Sequence, residues 1–165
     1  MLALDLPGEL RSLLDLLGYT WPEADEDKLF EMGQVWLRFA TTLEGLTASA
    51  DASAAPVSSA NAGADITAFE QWWRKEDSPL ATMHDGIPAA ILTGTGLIIC
   101  GTIVLALKVA VIVQLTILAV QVAQAVATSA VTFGASLAEI PIFQAITRTI
   151  IGNLIDEVIA TLLEA

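Results

Sequence analysis

Apolar positions recur along most of the chain at the three- and four-residue spacing of helices, and no stretch requires a strand. Leu6-Pro-Gly-Glu-Leu-Arg-Ser-Leu-Leu-Asp-Leu-Leu-Gly18 predicts a short amphipathic helix, with Pro7 at its first turn and Gly18 as its stop. Pro22 pushes Trp21 towards extended backbone, so the chain turns at Tyr19-Thr-Trp-Pro-Glu and the Trp21 indole becomes a plug laid against neighbouring helices. Asp25-Glu-Asp then places carboxylates where they complement a helix dipole. Leu29, Met32, Val35 or Trp36, Phe39, Leu43 and Leu46 follow as the apolar face of a long helix. Its Ala- and Ser-rich tail, Thr47 to Ala60, contains Pro56 as a kink or local break, and Asn61-Ala-Gly63 is the turn that ends it.

A second helix is predicted from Ala64 through Phe69, Trp72 and Trp73 to Lys75, and Glu76-Asp-Ser-Pro79 has the form of a stop followed by a new N-cap. Gly86-Ile-Pro88 is a weak point, and from Pro88 one long helix accounts for the uncharged run through Thr128. Gly94, Gly96 and Gly101 admit close backbone approach by a neighbour, while Gln114, Gln121, Gln124 and Thr128 form a thin polar stripe. Thr132-Phe-Gly-Ala-Ser136 reads as an inter-helix turn. Pro141 to Leu163 is the last helix, with Phe143, Ile146, Ile150 or Ile151, Leu154, Val158, Ile159 and Leu162 inward.

Charge sharpens this picture. Residues 1–85 hold fifteen acids and five bases, residues 86–165 four and two, and between Ile87 and Ala138 the only ionisable side chain of the Asp, Glu, Lys, Arg or His type is Lys108. A hydropathy scan would divide that stretch into two membrane-spanning candidates of about 20 residues. Hydrophobic residues make up 55% of the 165, above the roughly 45–50% of soluble globular chains, so the apolar half needs a cover. The net charge of −12 repels phosphate backbones and anionic leaflets, which sets nucleic acid aside as a partner. The start of the chain carries no basic n-region, which argues against a Sec-type signal peptide.

Catalytic chemistry finds little to work with. His84 is the only histidine and reads, with Asp85, as a solvated loop or helix-end pair; Cys100 is the only cysteine and lies in an apolar run, as a buried small hydrophobe. No nucleophile triad, metal-ligand cluster or phosphate loop can be assembled, so no catalytic, metal or cofactor site is expected and the chain is read as non-enzymatic. Gly94-Thr-Gly-Leu-Ile-Ile-Cys-Gly101 lacks the strand that a dinucleotide-binding loop needs, and reads as helix-packing glycines.

Leu6-Pro-Gly-Glu-Leu, Leu16-Leu-Gly, Trp21-Pro-Glu-Ala-Asp-Glu-Asp, Trp36 in the following helix, Gly63 followed by Phe69 and Trp73, and Thr132-Phe-Gly-Ala-Ser together resemble a known family. It is the WXG-like N-terminal domain of actinobacterial polymorphic toxins exported by type VII (ESX-type) secretion, which are similar to the mycobacterial outer-membrane channel and necrotizing toxin. The resemblance covers essentially the whole chain. It implies an all-α fold: an elongated bundle of two fused helical hairpins with a short leading helix, in one domain spanning 1–165. Residues 1–24 would form the leading helix and Trp-Pro plug, 25–76 the first hairpin, and 79–165 the long apolar helix, the turn and the last helix. Trp21, Pro22, Trp36, Gly63, Phe69, Trp73, Phe133 and Gly134 are its motif positions. Trp21 and Trp36 are read as locking the leading helix onto the bundle, and Trp36 and Phe69 as core residues.

Two departures stand out. The small WXG proteins carry Trp two residues before the hairpin Gly, where Asn61 stands here. Tyr19 and Glu23 match the four-residue spacing of the family's export signal but precede the hairpin instead of trailing it. The resemblance implies an adaptor that docks a small WXG-type helical partner and the type VII secretion machinery, with Trp72, Trp73 and Arg74 as a candidate partner or secretion surface. It also implies a cytoplasmic location before export and a secreted or cell-surface one afterwards. The alternative is a membrane-inserting or pore-forming module in which residues 87–130 insert as a helical hairpin or oligomeric pore. Thr, Gly and Ala at close spacing favour it; Lys108, three glutamines and the lack of a Trp/Tyr belt oppose it.

Overall fold

The computed structural model describes residues 3–164 and is all-α, with no strand among those residues. Its helices are α1 (Gly8–Leu16), α2 (Glu26–Ala60), α3 (Ala64–Trp73), α4 (Pro79–Thr128) and α5 (Ile140–Glu164), with a short 3-10 segment, Ala135–Glu139, ahead of α5. Met1, Leu2 and Ala165, included in the expected leading and last segments, lie outside the described residues. The chain divides into two compact units, one running to Asp27 and resuming at Cys100, the other Lys28–Ile99.

In the first unit, the leading segment closes over α4 and α5. Pro7 stands at the N-cap of α1, and Gly18, at φ +84°, ends it. The Gly18 N–H donates to the Asp15 carbonyl and the Tyr19 N–H to the Leu14 carbonyl, the paired bonds of a Schellman stop. Leu6, Leu14 and Leu17 are thereby buried with Leu107, Val111, Leu115, Leu118 and Ile151, and Trp21, Phe143, Leu154 and Val158 pack partly against them. The Tyr19 hydroxyl donates to the Arg148 carbonyl (3.2 Å), which ties the exit from α1 to α5. Of the face expected for α5, Ile146, Ile159 and Leu162 instead remain exposed, and Thr147 takes an inward place.

In the second unit α2 lies antiparallel to the first part of α4. A Cβ placed on Gly33 would stand 2.7 Å from the Gly94 carbonyl oxygen, and one on Gly94 2.8 Å from that of Gly33, so the two backbones meet where neither residue has a side chain. Gly86 instead faces a side chain, with the Leu43 Cδ2 methyl 2.9 Å from where a Cβ would stand. Gly96, expected to serve the same purpose, faces open space.

Three expectations fail here. The buried line of α2 is Gly33, Ala40, Thr47 and Ala54, seven residues apart, while Met32, Val35, Trp36, Phe39 and Leu46 of the expected inward face are exposed. Close approach selects small residues for the seam and leaves the large ones outside. Pro56 does not break α2, nor do Gly86 and Pro88 interrupt α4. Both prolines are exposed, as are Ala52 and His84, whose carbonyls lose their helical donors, so water can satisfy them. His84 and Asp85 accordingly sit on an exposed helical turn, and Cys100 is half-buried.

Candidate docking surface

Trp21 sits half-buried where the sequence places a plug, with its ring centroid 5.8 Å from the Lys108 ammonium. Pro22, beside it, is half-buried in the extended link to α2. Lys108, on α4, is 2% exposed, and its Nζ donates to Glu26 Oε2 (2.6 Å) and to the Ala24 carbonyl (2.7 Å). The other Glu26 oxygen accepts the Leu4 N–H. Burial alone would raise the Glu26 pKa; the bond and charge of Lys108 and the backbone N–H donors outweigh it and hold the carboxyl below its ordinary value. Sequence reasoning read Asp25-Glu-Asp as helix-start charges only and missed that the middle acid is the partner of Lys108. A lone cation in an otherwise uncharged run is the signal that asks for such a carboxylate.

Trp36 is 38% exposed, and its ring meets Phe39 of the same helix edge-on, centroids 5.9 Å apart. The core role expected for it therefore fails, and Trp21 alone packs with the leading helix. With Met32, Val35, Phe39 and Leu46, Trp36 forms an exposed apolar stripe beside the small-residue seam of α2. Helix propensity and seam packing explain neither its size nor its exposure.

The far end of the same unit carries the second aromatic group. Gly63, at φ +147°, precedes α3 in a conformation closed to residues with a Cβ, and one built there would lie 2.6 Å from Asp65 Oδ1. From this turn α3 presents Phe69, Trp72 and Trp73. Phe69 stacks on Trp73 at 5.8 Å, and the Trp73 Nε1–H donates to Asp51 of α2 (3.2 Å). Phe69 is half-buried, Trp72 is 47% exposed and Arg74 is exposed. Trp73 anchors the cluster and walls a groove of about 660 Å³, together with Glu44, Lys75, His84 and Asp85. An aromatic wall flanked by both signs of charge suits a polypeptide surface.

Phe133 and Gly134 lie in the α4–α5 turn, both at positive φ (52° and 84°). Phe133 is 99% exposed.

A helical bundle that leaves a long stripe of large apolar residues bare, next to an aromatic end, has the kind of surface that marks protein–protein or membrane interaction sites. A family model described as WXG100 like domain matches residues 6–149, and the chain belongs to that family. Membership places it among the helical proteins associated with type VII secretion and export, which pair with other helical chains. Comparisons with curated proteins and with solved structures gave no match.

Proposed function

We propose that this chain is a non-enzymatic adaptor, the N-terminal secretion and partner-docking domain of a toxin exported by the type VII route. The observation that carries the reading is the α2 stripe, where Met32, Val35, Phe39 and Leu46 are each about half exposed along a single helix. A small WXG-type helical protein laid along it would bury these side chains in the helix-on-helix manner, at spacings suited to ridges and grooves. The Phe69–Trp72–Trp73 group and Arg74 would extend that contact or present a surface to the secretion machinery. Co-expression with a small helical protein encoded beside it, followed by affinity capture, tests the reading. Glu substitutions at Met32 and Phe39 should abolish capture, and Gly63→Trp should weaken it by deforming the α2–α3 turn. Capture unaffected by all three would remove the stripe and the turn from the interface.

One observation favours a second reading, membrane insertion by residues 87–130. α4 is 50 residues long, with a most apolar window of mean hydropathy 2.6 of which 22% is buried. Insertion would require the Glu26–Lys108 pair to open or to travel with the helix, at a large desolvation cost. Partition of the partner-free chain into membranes that resists carbonate extraction would support this reading; full carbonate release would remove it.

A further inference from the structure

The α4–α5 turn spends conformational energy on a residue that serves nothing inside the fold. The Gly134 N–H donates to the Ser129 carbonyl (2.8 Å), the six-to-one bond of a helix stop, and this makes Phe133 the residue in the left-handed position that glycine normally fills. In α1 Gly18 holds the equivalent place. A bulky aromatic residue at φ 52° is strained, and with 99% of its surface exposed Phe133 recovers none of that strain by packing. The turn is nevertheless rigidly built. Ser136, 8% exposed, donates from Oγ to the Ala125 carbonyl (2.7 Å), the Thr132 hydroxyl donates to the Thr128 carbonyl (3.0 Å), and the Ser136 N–H donates to Thr132 Oγ1 (3.3 Å).

The surroundings of the turn select its occupant. Val131 is 81% exposed and Leu137 43%. No ionisable side chain occurs from Val109 to Ala138, although the whole chain carries a net charge of −12. On the charge-free part of α4 leading to the turn, Val113, Val120 and Val126 are exposed as well. An apolar tip on an acidic protein, with the exposed Glu139 closing the 3-10 segment behind it, fits an uncharged lipid surface, and the acid together with the absence of Lys and Arg from Val109 to Ala138 disfavours an anionic one.

We propose that Phe133, with Val131, is an interfacial anchor that seats the α4–α5 turn in a neutral lipid bilayer. A Phe side chain buries at the boundary between headgroups and acyl chains, and the strained turn holds this one outward before contact. The anchor is independent of the adaptor reading and does not require α4 to span the membrane.

The test is flotation of the full chain with phosphatidylcholine vesicles, comparing the parent with Phe133→Gly and Phe133→Leu. Glycine suits the backbone at this position, so loss of fold does not confound the variant. The expected result is flotation of the parent, a loss of at least fivefold in Phe133→Gly with no fall in melting temperature, and substantial recovery in Phe133→Leu. Adding phosphatidylglycerol should weaken flotation. Absence of flotation by the parent, or equal flotation of Phe133→Gly, would overturn the proposal. Loss of capture by the small helical partner in Phe133→Gly, with vesicle binding unchanged, would also overturn it and assign the ring to a protein pocket. If the adaptor reading alone fails, partner capture is absent while the vesicle result stands.

Discussion

Lys108 interrupts a long uncharged helix, and its environment turns a local liability into a tie between α4 and the leading segment. Its charge is met by Glu26 and the Ala24 carbonyl, with both partner side chains 3% exposed. Removing one member of such a pair strands the other, so Glu26→Gln should destabilise the protein by about 3–5 kcal/mol in thermal or urea unfolding, whereas Glu26→Leu with Lys108→Met should restore most of it. The folded Glu26 carboxyl lies below its ordinary value of 4.5, so the stability it contributes is present above that value and is lost as pH falls through the lowered one. Unfolding midpoints should therefore drop on acidification below about pH 4.5 in the parent, and Glu26→Gln should show less of this dependence. The glycines give a second contrast. Gly94→Ala forces a Cβ against backbone at 2.8 Å and should cost about 1–3 kcal/mol, while Gly96→Ala, in open space, should stabilise by up to about 1 kcal/mol.

Among the elements, α2 divides its apolar residues between two tasks. Gly33, Ala40, Thr47 and Ala54 face inward, and Met32, Val35, Trp36, Phe39 and Leu46 face out. Because the outer stripe is not needed for the unit's own packing, Val35→Glu or Phe39→Glu should change unfolding stability by no more than about 0.5–1 kcal/mol. The same variants should lose partner capture, and a large loss of stability on circular-dichroism melting would instead show that the stripe packs within the chain. The ends of α1, α3 and α5 are legible in the sequence because Pro7, Gly18, Gly63 and the Thr132–Ser136 stretch act locally, through allowed dihedrals and missing N–H groups. The inward face of α2 is not, because periodicity weighs large side chains and the seam is made of small ones. Pro56 and Pro88 misled for a related reason: a proline disrupts a helix only as far as tertiary packing allows, and two long helices absorb it. The Glu26–Lys108 pair joins positions 82 apart in sequence, a register that no local signal encodes.

For the molecule as a whole, the uneven charge noted in the sequence acquires a physical meaning. Acids concentrate in the first 85 residues, while large apolar side chains are left bare on α2, α4 and α5. Membership in the WXG100-like family associates the chain with helical partnering in general, and the proposed adaptor role assigns that partner to the α2 stripe. The most direct measurement is mass-resolved size exclusion in detergent-free buffer of the chain expressed alone and with the small helical protein encoded beside it. The account predicts a defined soluble complex with the neighbour, lost on Phe39→Glu. A monodisperse monomer that ignores the neighbour at micromolar concentration would contradict it.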